Sequence, residues 1–136
     1  LAPLAALWGR DNRGAMLRVL GGPGDAGTRI ENRIGEPMAN PYLYLASQIH
    51  AGLDGLQRRL LPPPATEAPY ADGGGPRLPT SLDAALDALD GSAVMAAGFG
   101  ADLLRLYARI KRSEALRYAQ AEDADDWQRR EYFGRY

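Results

Sequence analysis

The sequence predicts an α+β fold that is mostly helical and contains a two-stranded antiparallel element. Its 136 residues, 46% hydrophobic and 24% charged, suffice for one ordinary globular domain but not for two. Apolar and polar residues alternate with a period of two over residues 28–34. Apolar residues instead recur at three- and four-residue spacing after Pro41 and after Ala101, which is typical of helices.

The first third, residues 1–36, is predicted to be extended. Ala15–Leu20 is a short apolar run that ends at a glycine- and proline-rich turn, and Thr28–Ile34 follows as its antiparallel partner. Its alternation places three charged side chains on one face: Arg29, Glu31 and Arg33. We expect Ile30 and Ile34, on the opposite face, to be buried. Because a two-stranded hairpin is only marginally stable in water, we also expect these strands to need a larger sheet outside this chain.

Helical signals dominate the remainder. In the region 39–61, Asn40 as N-cap and Pro41 in the first turn begin a helix that is predicted to extend to Leu60. The region 62–80 contains six of the ten prolines, so it is predicted to be a surface loop. The region 81–136 holds the other predicted helices: Leu82–Leu89, a short helix from Ser92 to Ala97 that ends at Gly98, Ala101–Ala119, and a last helix from about Ala124.

Composition and charge exclude several classes of function. No apolar run approaches the ~20 residues of a membrane helix, so we expect no membrane partner. Sixteen basic and seventeen acidic residues give a net charge of −1, so we expect no nucleic-acid partner. The absence of cysteine excludes disulfides and thiolate chemistry and fits a reducing compartment. Because the chain begins with Leu1, we expect it to be a piece of a longer protein.

A dense group of charged residues lies on and beside the two predicted strands: Arg13, Arg18, Arg29, Glu31 and Arg33. Fixed cations of this kind can meet the charge that spreads over a phosphoryl group during its transfer. A carboxylate among them can bind Mg²⁺ or Mn²⁺. The alternative is a solvated strand face on which Glu31 forms ordinary ion pairs with Arg29 and Arg33, and spacing alone favours this alternative.

Three motifs favour a functional site over a solvated strand face, because they resemble segments of glutamine synthetases. Asp11–Arg18 resembles the family's asparagine-arginine-x4-arginine segment, and Arg29–Arg33 resembles its arginine-x-glutamate-x-arginine strand. Ala39–Leu43, followed by Ala51–Gly55, resembles its alanine-asparagine-proline-tyrosine helix with the terminal glycine. The motifs occur in the family's order, and a weaker similarity continues to Trp127–Tyr132. Over residues 1–136 the chain therefore resembles the C-terminal part of the catalytic domain of the glutamine synthetase family.

The resemblance implies a role for each member of the charged group. Glu31 matches a glutamate that ligates the second divalent metal. Arg33 matches an arginine that contacts glutamate and the transferring phosphoryl group, and Arg13 matches one shared between ATP and glutamate. Arg18 matches an arginine assigned to ATP, and Arg29 is a weaker nucleotide contact. Arg33 and Arg13 are the implied catalytic residues.

The implied reaction is that of an ATP-dependent carboxylate–amine ligase. ATP phosphorylates the side-chain carboxylate of glutamate, and ammonia or another amine then displaces phosphate to give a gamma-glutamyl amide. The resemblance also implies a cytoplasmic parent that forms a large homo-oligomer, and the 136 residues alone are expected to be inactive. The alternative function is a non-enzymatic helical interaction module descended from the same fold.

Some residues depart from the family pattern. Trp8–Asp11 resembles a divergent branch, some of whose members ligate glutamate to amines other than ammonia. The loop Gly21–Gly27 lacks a lysine that contacts ATP in some members, and Tyr70 lacks the context of the family's adenylylated tyrosine, so we predict no such regulation. Several other residues are expected to have structural roles: Asn12 in its turn, the sole histidine His50, and Trp127, Tyr132 and Phe133 as core or interface anchors.

Overall fold

A computed structural model describes residues 2–71 and 75–134, and it confirms a mostly helical α+β architecture. The strands are β1 (Trp8–Arg10), β2 (Leu17–Leu20) and β3 (Arg29–Asn32). The helices are α1 (Pro41–Gln57), α2 (Leu82–Asp90), α3 (Ala93–Phe99), α4 (Ala101–Ala119) and α5 (Ala124–Tyr132). The chain divides into two compact units, the first comprising Leu1–Glu36 and Leu61–Leu78, the second Pro37–Leu60 and Pro79–Tyr136.

The first unit contains a three-stranded sheet in the order β1-β2-β3. The predicted antiparallel pair is confirmed as β2 and β3, although both strands are shorter than predicted. Its register sets Arg18 directly opposite Glu31. The strand β1, which the sequence analysis did not predict, pairs with β2 in parallel.

The predicted burial of Ile30 and Ile34 is wrong. Their exposed fractions are 69% and 43%. The strand β3 lies at the edge of the sheet, and no second layer among the described residues of this unit covers that face. Alternation therefore correctly placed Glu31 and Arg33 together, but it could not show which face of the strand is covered.

The predicted surface loop is bound to the first unit by backbone and side-chain contacts. The backbone N–H of Thr66 donates to the carbonyl of Trp8 (2.9 Å), and the indole Nε1 of Trp8 donates to the carbonyl of Pro63 (2.6 Å). A Cβ atom at the buried Gly14 would lie 2.6 Å from Cγ of Pro69, so only glycine permits this close approach. Gly73 and Gly74 of the same loop lie outside the described residues.

In the second unit, the predicted capping side chain of Asn40 begins α1. The Asn40 side chain accepts hydrogen bonds from the backbone N–H groups of Tyr42 and Leu43, at 3.0 and 3.1 Å. Three other helices have a capping side chain of the same kind: Ser81 for α2, Ser92 for α3 and Asp123 for α5. The helix α1 ends at Gln57 rather than at the predicted Leu60, because Arg59 adopts a left-handed backbone with φ 52°.

The predicted end of α3 at Gly98 is also wrong, since the helix continues to Phe99 and stops at Gly100 with φ 83°. Gly98 instead permits close packing, because a Cβ there would lie 2.4 Å from Cγ of His50. The ring of His50 also meets that of Phe99 edge-to-face, with centroids 5.1 Å apart. These contacts between α1 and α3 agree with the expected structural role of His50.

The helices α4 and α5 meet around a buried carboxylate. Glu114 is 1% exposed, and its Oε2 accepts hydrogen bonds from Nζ of Lys111 (2.7 Å) and from the hydroxyl of Tyr132 (3.0 Å). The ring of Trp127 meets that of Tyr132 edge-to-face at 6.0 Å, which confirms both aromatic residues as packing anchors. Phe133 is 73% exposed and is not a core residue, so its role as an interface anchor stays a prediction.

The helix α1 leaves an apolar stripe exposed: Tyr42, Leu45, Ile49, Leu53 and Leu56. Apolar residues at helical spacing therefore predict that this segment is a helix, but they do not predict that other described residues bury its apolar side chains. Among the helices that the structure describes, none has the length and apolar character needed to cross a membrane.

Candidate functional site

A carboxylate held between two arginines forms the centre of the candidate site. Nη1 of Arg18 donates to Oε2 of Glu31 across the β2–β3 pair (3.3 Å). Nε of Arg33 donates to the other oxygen, Oε1 (2.9 Å). Arg33 lies two residues after Glu31, so the period of the strand brings both side chains to the same face. The three side chains therefore form one contiguous ion-paired group.

Asp11 extends this group, and the sequence analysis did not include it among the site residues. Its Oδ1 accepts hydrogen bonds from both Nε and Nη2 of Arg18, the first at 3.1 Å. The hydrogen bond with Asp11 is the main cause that raises the pKa of Arg18 above its ordinary value. Since arginine is already charged at any physiological pH, this shift adds no titration to the site. We call these four residues, Asp11, Arg18, Glu31 and Arg33, the charged cluster.

The guanidinium of Arg33 retains an unused donor. Nη1 of Arg33 is buried and has no hydrogen-bond partner among the described residues, whereas Nε is bound to Glu31. Leaving a buried donor unpaired costs about 1–3 kcal/mol, so such atoms are rare in folded proteins and call for an explanation. A fixed cation with a free donor can accept an anionic ligand without first breaking a bond to protein.

Two of the predicted site residues do not join the cluster through the contacts that the structure shows. Arg29 is exposed, and its Nη1 donates to the carbonyl of Gly27 (2.9 Å), so the expected ion pair of Arg29 with Glu31 is replaced by this local bond. Arg13 is exposed in the turn before β2. Asn12 shapes that turn as predicted, because its Oδ1 accepts from the backbone N–H of Gly14 (3.0 Å).

Glu31 has the chemistry of a single ligand for a hard divalent cation. Its side chain is 35% exposed, and each of its oxygens accepts one of the hydrogen bonds described above, which leaves lone pairs unused. Across the described ranges, no group of three or more histidine, aspartate or glutamate residues could hold a metal by itself. The described part of the chain therefore offers one oxygen ligand for a Mg²⁺ or Mn²⁺ site at this cluster, but not a complete coordination sphere.

Two features of the cluster could not be identified from spacing. The contact between Arg18 and Glu31 depends on the register of β2 against β3, which alternation does not define. The contact of Asp11 with Arg18 depends on a turn whose backbone conformation has no clear signal in the sequence. The only hint was the position of Asp11 directly before the asparagine-arginine motif.

Comparisons with known proteins place the sequence in a family. A family model described as the catalytic domain of glutamine synthetase matches residues 1–132. A gamma-glutamylanilide synthase from an Acinetobacter species is 43% identical over 143 residues, covering 98% of this chain and 28% of the relative. A gamma-glutamylethanolamide synthetase from Streptomyces coelicolor is 36% identical over 135 residues, covering 98% and 28%. A glutamine synthetase from Methanococcus maripaludis is 34% identical over 139 residues, covering 96% and 30%.

The chain thus spans less than a third of the length of these relatives. The similarity nevertheless extends over nearly all of the chain and includes both strands of the charged cluster. On this basis the chain belongs to the glutamine synthetase family.

Proposed function

We propose that the full-length protein is an ATP-dependent ligase that joins glutamate to ammonia or another amine. This chain contributes the charged cluster to the place where the phosphoryl group is transferred. The observation that carries the proposal is the carboxylate of Glu31 held between Arg18 and Arg33, with a free donor on Arg33. The names of the relatives, which are synthases and synthetases of gamma-glutamyl amides and of glutamine, support this class of reaction.

The proposed chemistry has two steps. The side-chain carboxylate of glutamate attacks the terminal phosphorus of ATP, the bond from that phosphorus to the bridging oxygen breaks, and ADP leaves. The amine nitrogen then attacks the carbonyl carbon of the resulting gamma-glutamyl phosphate, loses a proton, and phosphate departs with the former carboxylate oxygen. Negative charge is spread over the phosphoryl oxygens during the first step, so fixed cations lower its barrier.

The arginines divide this work in the proposal. Arg33 contacts glutamate and the moving phosphoryl group, and its Nη1 has no hydrogen-bond partner among the described residues. Arg18 contacts ATP, Arg13 is shared between ATP and glutamate, and Arg29 is a peripheral nucleotide contact. The exposure of Arg13 and Arg29 leaves both side chains accessible to a ligand.

Glu31 would hold one Mg²⁺ or Mn²⁺ ion through a carboxylate oxygen, with the remaining ligands from outside the described residues and from ATP. When bound, the ion neutralises phosphate charge. The bonds from Arg18 and Arg33 fix the orientation of this carboxylate. Two arginines beside one carboxylate disfavour a lone cation, so the arrangement suits a metal that arrives together with nucleotide phosphates.

The small-molecule partners in this proposal are ATP, glutamate and an amine, and the enzyme is a large cytoplasmic homo-oligomer. The interaction-module alternative is not favoured, since the relatives described above are named as synthases and synthetases.

An amine panel tests the proposal with the full-length protein. ATP, glutamate and Mg²⁺ are supplied with ammonia, ethanolamine or aniline, while phosphate release and the amide product are measured together. We expect phosphate release that depends on both glutamate and one of the amines, with one amide formed per phosphate. The proposal would be contradicted by ATP hydrolysis whose rate does not depend on glutamate or amine. It would also be contradicted if no amine supported turnover with either Mg²⁺ or Mn²⁺.

A further inference from the structure

We infer that Asp11 is a positioning residue that fixes the guanidinium of Arg18 for its contact with nucleotide. This inference rests on the proposed function, because it assigns to Arg18 the role of an ATP ligand. Asp11 itself need not touch any substrate: its carboxylate is bound to Arg18 through two nitrogens.

The backbone of Asp11 is held in an unusual conformation. Asp11 directly follows β1 and has φ 46°, in the left-handed region that few residues other than glycine adopt. Its backbone N–H donates to the carbonyl of Val19 on β2 (3.0 Å), so the sheet itself holds this position. The carboxylate is therefore anchored to the same strand that carries Arg18.

The guanidinium of Arg18 is held by partners on two sides. Nε and Nη2 donate to Asp11, whereas Nη1 donates to Glu31 on the neighbouring strand. Bonds to all three nitrogens fix both the position and the plane of the group, which is 14% exposed. Each terminal nitrogen has a further N–H that can bind a phosphate oxygen, so an ordered Arg18 can bind nucleotide with little loss of entropy.

The charges of the cluster explain why a second carboxylate is needed. Arg18 and Arg33 carry two positive charges, and Asp11 and Glu31 carry two negative charges, so the cluster is balanced. Without Asp11, Glu31 alone would have to serve both arginines. Nε and Nη2 of Arg18, no longer bound to Asp11, would then be free to turn toward Glu31 and compete with Arg33 or with a metal for its oxygens. Asp11 thus limits the contact of Arg18 with Glu31 to the bond from Nη1 (3.3 Å).

The test compares variants of Asp11 and Arg18 in the full-length protein by steady-state kinetics with varied ATP. We expect Asp11→Ala to raise KM for ATP about fivefold, the upper range for a partly exposed ion pair, with kcat changed by less than about twofold. Arg18→Ala should raise KM for ATP further. The double variant should match Arg18→Ala alone, because a residue that acts only through Arg18 has no effect once Arg18 is absent.

Two further variants separate positioning from a structural role of the turn. Asp11→Gly relieves the left-handed backbone and should still raise KM for ATP as Asp11→Ala does. Asp11→Asn keeps one acceptor oxygen and tolerates the backbone, so its KM should lie between those of the parent and Asp11→Ala. Asp102→Ala is the matched control, since Asp102 forms an exposed ion pair with Arg105 on α4, and it should leave KM for ATP unchanged.

Several outcomes would overturn the inference. If Asp11→Gly restores the parental KM for ATP, the role of Asp11 is confined to the backbone. If Asp11→Ala and Arg18→Ala act additively, Asp11 does not act through Arg18. If Arg18→Ala leaves KM for ATP unchanged, both the nucleotide role of Arg18 and the inference fail, whereas the amine panel tests the ligase activity of the unmodified protein separately.

Discussion

Replacing Arg33 by alanine in the full-length protein should separate catalysis from stability. We expect kcat to fall about a hundredfold or more, while the free energy of unfolding stays near the parental value. The two effects differ because the side chain of Arg33 makes few hydrogen bonds to the described residues. Nε binds Glu31, and the buried Nη1 binds none of the described residues.

The magnitudes follow from these contacts. The ion pair of Arg33 with Glu31 spans 2.9 Å between side chains that are 21% and 35% exposed, so its loss costs ~0–1 kcal/mol. Glu31 also keeps Arg18 as a partner in the variant. Removing the unpaired Nη1 relieves a cost of about 1–3 kcal/mol, which offsets the lost ion pair. Loss of a transition-state donor, by contrast, costs about 3–4 kcal/mol of activation free energy.

Steady-state kinetics against ATP, glutamate and Mg²⁺, together with chemical denaturation, measure both quantities. Arg33→Lys should recover little activity, because a point charge does not reproduce the planar, two-pronged donor geometry of arginine. The control is Arg105→Ala, which removes an arginine from an exposed ion pair with Asp102 on α4. That variant should keep both the parental rate and the parental stability.

The opposite result would refute this reasoning. If kcat for Arg33→Ala stays within about threefold of the parent, less than 1 kcal/mol of activation free energy is lost. Arg33 would then be no more than a partner in an ordinary ion pair, and β3 would be a solvated strand face without a catalytic role. A fall in stability as large as the fall in activity would equally assign Arg33 to structure.

Three other variants test the cluster and the two units. Glu31→Ala should lower activity and raise the Mg²⁺ concentration needed for half-maximal rate, and excess metal should recover part of the loss; an unchanged metal requirement excludes Glu31 as a ligand. Glu114→Ala should destabilise the protein by about 3–5 kcal/mol in chemical denaturation, because it leaves the largely buried Lys111 without its carboxylate, and an unchanged midpoint would contradict this. Gly14→Ala should lower the free energy of unfolding, measured by thermal denaturation, by about 1–3 kcal/mol, because its Cβ would lie 2.6 Å from a loop proline. The control Gly22→Ala should not lower it, because a Cβ at Gly22 would meet no atom within 4 Å.

Features that depend on neighbouring residues in sequence were predictable. Asn40 and Ser92 mark predicted helix starts, because a short polar side chain satisfies the free N–H groups one turn ahead. The helix α4 was predicted with its observed bounds, because apolar residues recur at helical spacing from Leu103 to Tyr118. The charged strand β3 was also predictable from neighbouring residues, because apolar and polar residues alternate over the seven residues from Thr28 to Ile34.

Features that depend on strand pairing, on a covering layer or on an unusual backbone angle were not predictable. The strand β1 is three residues long and pairs in parallel with a strand that begins only seven residues later, where parallel pairs usually need a crossover of a dozen or more. Ile30 was wrongly expected to be buried because burial requires a second layer that alternation does not reveal. The contacts of Glu31 with Arg18 and of Asp11 with Arg18 depend on register and on one backbone angle, so sequence placed the residues near one another without defining their bonds.

The attachment of the loop to β1 has a consequence for the order of folding. The hydrogen bonds that close the first unit join residues at least 54 positions apart, such as Trp8 with Pro63 and Asn12 with Thr66. During synthesis, the sheet therefore cannot complete these contacts until the whole of α1 and the following loop have left the ribosome. The helix α1 can form earlier, since its backbone hydrogen bonds are local. Once formed, it shortens the chain segment whose two ends these long-range hydrogen bonds must bring together. In pulse-labelled hydrogen exchange, amides of α1 should accordingly be protected before that of Thr66, whose bond to Trp8 closes the unit.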